Sequence, residues 1–314
     1  MRFYISLLCI LFASFCSVNA QKITFTPQWT AQSQFAGYYA ALENGYYAEA
    51  GLDVAIVHPT KSYSSMSMLN DGTANIITCE LIQAIMAAED GVKLVNLMQT
   101  VQHSTLALIS RLKDVSQMSQ LAGCRVATWK VGFNEFPHMI DKEENLGINW
   151  VRVINPVNVY ISGAVDATLV KSYNEQILFS MSGITPASII KFSELGFDYP
   201  EDGLYVTREF FDKYPQQCRR FAEASRKGWE WVRNNRNEAL EIVMKYVKEE
   251  NIPTNIYNQK WMLEAILEAQ SDEKGGEPSY RLGVDEFDSL NELLLKYGYI
   301  SKPVVYESFI GNSL

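Results

Sequence analysis

The feature that most constrains the fold is an alternation. Short apolar runs of about five residues alternate with helical stretches through the first half of the chain. Lys22 to Thr26, Leu52 to Val57, Ala74 to Thr78 and Lys93 to Met98 read as strands. Phe35 to Glu43, Ser62 to Leu69 and Leu81 to Glu89 read as helices between them, closed by Asn44-Gly45, Asn70-Asp71-Gly72 and Gly91. Strands joined by helices pair in parallel, because a parallel pair needs a crossover longer than a tight turn. After Ser110 the pattern restarts, with a helix near Val115 to Leu121 and strands at Arg125 to Trp129, Val151 to Ile154 and Asp166 to Leu169. From Arg208 onward amphipathic helical stretches dominate. The spacing predicts an α/β protein of two lobes, each a mostly parallel sheet flanked by helices, with a ligand cleft between them. Crossings are expected near Arg111 to Val115 and at Asp198 to Gly203. Lobe one would then hold residues 21–112 and 200–314, and lobe two residues 113–199.

The first twenty residues read as a targeting segment. Arg2 supplies a positive start, Ile5 to Phe15 is apolar, and Val18-Asn19-Ala20 offers small residues for cleavage after Ala20. The apolar run is too short to span a bilayer, which needs ~20 residues. Bulky Phe15 before Cys16 argues against a lipoprotein anchor. A soluble protein exported to the periplasm or the extracellular space is expected, working as a monomer.

Charge narrows the partners. With 27 Lys and Arg against 36 Asp and Glu, the net charge is -9. Such a chain is ill-suited to phosphate backbones and to anionic lipid surfaces, so no nucleic acid is expected. Cys79, Cys124 and Cys218 are too few and too far apart for a disulfide framework or a zinc site.

Catalytic motifs are missing. The chain has no G-x-x-x-x-G-K-[ST], G-x-G-x-x-G, H-E-x-x-H or G-x-S-x-G. His58, His103 and His138 are scattered, and only His103, just past an apolar strand, stands where a cleft edge is expected. No catalytic residue, metal ligand or cofactor is assigned.

One segment is more specific. It runs Trp29-Thr30-Ala31-Gln32-Ser33-Gln34-Phe35-Ala36-Gly37-Tyr38-Tyr39-Ala40, then Gly45-Tyr46-Tyr47, then Gly51-Leu52-Asp53-Val54. It follows the first strand, at the carboxyl end where open α/β sheets bind ligands. Together with Asn70-Asp71-Gly72-Thr73-Ala74-Asn75, Leu121-Ala122-Gly123-Cys124-Arg125-Val126, Gly163-Ala164-Val165-Asp166-Ala167 and Tyr173-Asn174-Glu175, it resembles the THI5/NMT1-like (SsuA/THI5-like) family over residues 22–245. The resemblance implies a type II periplasmic-binding-protein fold and an extracytoplasmic solute-binding role beside the membrane permease of an ABC importer. Its ligand classes include thiamine-precursor pyrimidines, sulfonates, nitrate and flavin-like compounds. A ligand-sensing subunit for a receptor kinase is the alternative from another class.

The same family includes a thiamine pyrimidine synthase, which uses a pyridoxal-phosphate lysine, a histidine and a Cys-rich iron motif. Cys79 and Gln83 stand where the lysine and histidine are expected, and Phe197 to Gly203 holds no cysteine. Without an amine no Schiff base forms, and without thiolates no iron site of that kind. A binding protein rather than an enzyme is therefore expected.

Candidate ligand residues sit at strand ends. Lobe one offers Trp29, Gln32, Gln34, Tyr38, Ser62, Tyr63, Ser64 and Glu80, with His103 at the edge. Lobe two offers Trp129, Asn134, Glu135, Asn158, Asn174 and Glu175. Trp129 would stack on a planar ring. The resemblance makes Glu175 the acceptor for an aminopyrimidine, since a charge-assisted hydrogen bond is short and strong. The pyrimidine binders carry Pro-Asn-x-x-His in the loop where this chain has Ala31-Gln32-Ser33-Gln34-Phe35, so the amide is kept and the histidine is not. An anion binder is expected to show an Arg or Lys at the cleft, for which Lys61 and Lys130 are the candidates.

Overall fold

The computed structural model describes residues 21–311 apart from residue 131 and residues 273–275. The leader expected at residues 1–20 lies outside the described residues. Among the described residues, ten strands form two five-stranded sheets. They are β1 (Gln21–Thr26), β2 (Leu52–Ile56), β3 (Ile76–Glu80), β4 (Leu94–Gln99), β5 (Leu106–Ser110), β6 (Arg125–Trp129), β7 (Asn149–Val153), β8 (Ala167–Lys171), β9 (Ser188–Lys191) and β10 (Asp202–Thr207).

The first sheet has the order β2-β1-β3-β10-β4 and the second β7-β6-β8-β5-β9. In the first, β1 pairs in parallel with β2 and β3, while β10 runs antiparallel to both β3 and β4. In the second, β6 is parallel to β7 and β8, while β5 is antiparallel to β8 and β9. Each sheet is therefore parallel but for a single reversed strand. In both, that strand is the one that has just crossed from the other lobe. β3, β4, β5 and β8 are buried along their whole length, and polar residues in them, Glu80 and Lys171 included, are buried with the apolar majority.

Three expectations shift. The chain leaves the first sheet after Gln99 and enters the second at Leu106. The first crossing is thus residues 100–105, not Arg111 to Val115, and residues 106–110 belong with the second sheet. Leu106 to Ile109 is a short apolar run, and only the pairing of this strand with β8 and β9 shows which sheet it serves. The helix expected from Ser62 begins at Ser65, because Ser64 caps it by accepting from the Ser67 N–H at 3.2 Å. The helix expected near Val115 to Leu121 is a single tight turn, Met118–Leu121.

The return crossing, residues 196–201, runs beside the first, and side chains brace the two. Asp198 accepts from the Ser104 N–H at 2.8 Å and sits 2.8 Å from His103 Nδ1. Glu201 accepts from the Thr105 N–H at 2.8 Å, the Thr105 hydroxyl at 2.5 Å and the Ser104 hydroxyl at 3.1 Å.

The helix Pro215–Asn234 packs across Ala36–Glu43, and two glycines set the approach. A Cβ at Gly228 would lie 2.0 Å from the Gly37 carbonyl oxygen, and one at Gly37 would lie 2.2 Å from the Trp229 ring. Side chains at either point would push the helices apart. The Gly37-Tyr38-Tyr39 motif thereby serves the core: Trp229, Tyr38, Tyr39 and Tyr47 are all buried around this crossing.

Candidate functional site

Between the lobes lies an open cleft of about 240 Å3, lined from the first lobe by Trp29, Thr30 and Gln32. The second lobe supplies Trp129, Phe133, Ile154, Lys171, Tyr173, Asn174 and Glu175. A cleft at the junction of two lobes is a natural seat for a small organic ligand. β6 ends at Trp129 and β8 at Lys171, so both deliver their terminal side chains to the opening. The aromatic wall is continuous. The Trp129 and Phe133 rings meet edge-on at 5.3 Å, and Trp29 lies 5.9 Å from Phe133. Asn134 steadies Trp129 by donating to its carbonyl at 3.2 Å, and itself accepts from the Thr128 hydroxyl.

Glu175 opens the helix Glu175–Met181 and is 9% exposed. Its Oε2 accepts from the Lys171 N–H at 2.9 Å. Burial raises its pKa, opposed by backbone hydrogen bonds, by the Lys171 charge and by a hydrogen bond from the Trp129 side chain. A raised carboxylate facing an aromatic cleft favours a partner that donates hydrogen bonds or carries positive charge.

Behind Phe133 and Lys171 is a tighter compartment, whose wall includes Glu80, Glu135, Glu201, Leu106 and Tyr199. Lys171 is its hub. Its Nζ lies 2.7 Å from Glu80 of the first sheet and 2.9 Å from Glu201 of the return crossing, and 4.8 Å above the Phe133 ring. Burial alone would lower the pKa of Lys171, but the charges of Glu201 and Glu80 outweigh it and raise it. Burial lifts Glu80 well above the usual carboxylate range against the pull of Lys171, and burial also raises Glu135. Glu80 and Glu201 thus pair with the Lys171 ammonium, while Glu175 accepts from the Lys171 backbone N–H and Glu135 feels the lysine's charge.

Other candidates lie elsewhere. Tyr38 is 1% exposed, its hydroxyl 2.8 Å from that of Thr100 and its ring against Phe25 and Trp229, so it is a core residue. Gln34 is 2% exposed beneath Gln32 and does not line the cleft. Ser62, Tyr63 and Ser64 lie in the turn before the helix Ser65–Asn70, outside the cleft lining, with the Tyr63 hydroxyl bonded to Asp71 and Thr73. Asn158 is exposed on the helix Pro156–Ile161. His103 braces the crossings, and Glu80 and Glu135 face the inner compartment. Lys61 and Lys130 are exposed and outside the lining.

Sequence reasoning missed Lys171, Phe133, Glu201 and His58. Lys171 ends an apolar strand, and nothing local announces its partners, which come from positions 80 and 201. His58 supports the site from behind: its Nδ1 lies 2.7 Å from the Trp29 carbonyl and its Nε2 3.0 Å from the Tyr39 hydroxyl. A carbonyl only accepts, so Nδ1 carries the proton and Nε2 accepts from Tyr39.

Comparison with known proteins places this geometry. A formylaminopyrimidine-binding protein of Halalkalibacterium halodurans is 24% identical over 96% of this chain and 95% of its own. The periplasmic aliphatic sulphonate binding protein SsuA of Escherichia coli superposes with a TM-score of 0.66 at 12% identity, over 90% of this chain and 95% of that one. The ligand-binding component of an ABC-type import system from Staphylococcus aureus gives 0.65 at 9% identity, over 92% and 96%. The likeness to these two structures establishes a periplasmic-binding-protein fold. The profile described as NMT1/THI5 like matches residues 32–239, and the chain belongs to that family.

Proposed function

We propose that this chain is the extracytoplasmic solute-binding protein of an ABC importer and that it takes a small planar ring bearing amino donors, with aminopyrimidines of the thiamine-precursor type first among them. The observation that carries the ligand class is Glu175: a buried carboxylate, raised by burial, at the cleft beside Trp129. An N–H donor from the ring satisfies it, while Trp29, Trp129 and Phe133 supply faces for stacking. The 24% identical relative, named for binding formylaminopyrimidine, supports the same class. A sulfonate or nitrate fits poorly, because Lys171, the cation in the cleft lining, already serves two carboxylates.

The mechanism is binding without bond chemistry. Trp29 and Gln32 meet one side of the ligand and Trp129, Asn174 and Glu175 the other, so contacts to both lobes favour the closed form. That form then docks on the membrane permease. Cys79, in the place of the synthase lysine, is 5% exposed, and burial pushes its thiol well above its ordinary range. It is thus a poor nucleophile at neutral pH. Residues 1–20 act as the export leader in this reading, delivering a monomer outside the cytoplasm.

The test is mass spectrometry of ligand released from the purified protein, with a thermal-shift panel of an aminopyrimidine, riboflavin, taurine and nitrate. Ligand at 100 times its Kd adds about 2.7 kcal/mol of stability. Stabilisation by the aminopyrimidine, lost in Glu175→Gln and Trp129→Ala, supports the reading. Stabilisation by taurine or nitrate alone overturns the ligand class.

A further inference from the structure

A chain of side-chain amides runs from the cleft to the start of β10. Gln32 Nε2 donates to Gln34 Oε1 at 2.5 Å, and Gln34 Nε2 donates to Asp202 Oδ2 at 2.6 Å. The other oxygen, Asp202 Oδ1, accepts from Gln28 Nε2 at 2.7 Å. Gln34 and Asp202 are 2% and 6% exposed, while Gln32 is half-buried in the cleft wall.

The direction of this chain follows from the carboxylate. An ionised Asp202 has no proton to give, so both glutamines beside it must present their N–H groups. With its nitrogen end held on Asp202, Gln34 turns its oxygen end toward Gln32, and Gln32 meets that oxygen with N–H. That fixes which way round the Gln32 amide sits in the cleft wall, its nitrogen end toward Gln34 and its oxygen end turned away from it.

We propose that Asp202, which does not line the cleft, sets the hydrogen-bond polarity of the site by turning Gln34 and thereby Gln32, making Gln32 a selector for ligands that present an N–H. Asp202 is a positioning residue and Gln32 the residue that reads the ligand. The proposal rests on the cleft being the ligand site and adds to it a specificity device.

The geometry also defines the opposite state. Protonation at Oδ2 lets Asp202 donate to Gln34 Oε1 while Oδ1 still accepts from Gln28. Gln34 then donates to Gln32 Oε1, and the Gln32 NH2 turns to the cleft. Asp202→Asn reproduces that state at any pH, because an amide offers one acceptor and one donor at the same two positions. The charged groups facing Asp202 are Glu201 and Glu80 on the acidic side and Lys171 on the basic side. Its titratable neighbours Tyr38, Cys79, Tyr173 and Tyr205 all have raised pKa values and stay neutral near pH 7. Burial, with Glu201 beside it, pushes Asp202 itself to about 6 against the bonds from Gln34 and Gln28.

Two measurements test this. The first needs no ligand: side-chain amide NMR of Gln32, assigned with Gln32→Asn, in the ligand-free protein between pH 5 and pH 8. Gln32 does not touch Asp202, yet its NH2 resonances should move with the Asp202 titration, and should stop moving in Asp202→Asn and in Gln34→Met. A Gln32 signal that ignores the Asp202 titration overturns the relay, whether or not any ligand is known. The second uses 4-amino-2-methylpyrimidine and the corresponding 4-pyrimidinone as probes. Reversing one hydrogen bond shifts affinity by about tenfold, so the wild-type preference for the amino probe should fall at least tenfold in Asp202→Asn. A merely structural role weakens both probes alike and leaves the ratio unchanged, which overturns the proposal. A wild type that binds neither probe, with the NMR coupling intact, counts against the aminopyrimidine reading and for the relay.

Discussion

Lys171→Met removes the ammonium that ties β8 to Glu80 of the first sheet and to Glu201 of the return crossing. In the wild type Nζ is 2.7 Å from Glu80 and 2.9 Å from Glu201, with the lysine 5% exposed at its side chain. Methionine fills much of the same space but leaves both carboxylates without a cation. Glu201 keeps its bonds to Ser104 and Thr105, whereas Glu80 loses its charged partner. Breaking a buried pair from one side costs about 3–5 kcal/mol. For a chain of this size that lowers Tm by on the order of 10 °C. The pH dependence is the sharper signature. Without Lys171, Glu80 is raised further above its ordinary pKa, so the folded state binds a proton that the unfolded state does not. Stability of the variant must then rise as pH falls from 8 toward 5, more steeply than in the wild type. The assay is urea denaturation at several pH values, with Lys171→Met/Glu80→Gln as the control that restores part of the loss. A Lys171→Met protein within about 1 kcal/mol of wild type at pH 7, with an unchanged pH slope, would refute the argument.

Three further outcomes follow from the geometry. Gly228→Ala drives a methyl group against the Gly37 carbonyl, at 2.0 Å in the present packing, and should cost about 3 kcal/mol or more in the urea midpoint. His58 has a pKa lowered by burial, so its neutral form supports the fold above its ordinary 6.5 and that support is lost as pH falls through 6.5 toward the folded value; the stability gap between wild type and His58→Gln should therefore shrink between pH 7.5 and pH 5. Ser62→Ala and Asn158→Ala lie off the cleft and should leave ligand affinity, measured by calorimetry, within about twofold.

The alternation of apolar runs and helices made the two α/β units legible, since a buried parallel strand leaves a continuous apolar signature. The reversed strands did not show: Leu106–Ser110 and Asp202–Thr207 look like any other buried strand, and only pairing reveals which sheet each serves. At the site, Trp29, Gln32, Trp129, Asn174 and Glu175 could be gathered because each stands at a strand end or the loop after it. Tyr38 misled for a physical reason. It sits in the same motif, but its helix turns it onto Trp229, and an aromatic at helical spacing carries no mark of which face it occupies. Lys171, Glu80 and Glu201 meet across 91 and 30 residues of chain, and long-range charge pairing leaves no local pattern.

The strand exchanged between the lobes has a consequence for the order of assembly. β10 lies between β3 and β4, so the first sheet has a missing interior strand until residue 207 is available. The second sheet is built from one contiguous stretch, residues 106–191, and can close on its own. A chain emerging from its N-terminus therefore completes its second lobe first. Meanwhile β3 and β4 hold out unpaired edges across a gap one strand wide, the state in which sheets most readily pair with the wrong neighbour. Closing that gap joins strands more than a hundred residues apart, a slow, high-contact-order event. Late locking of the first lobe is thus written into the strand order, and a chain held back from β10 stays pliable however long its first hundred residues have been free.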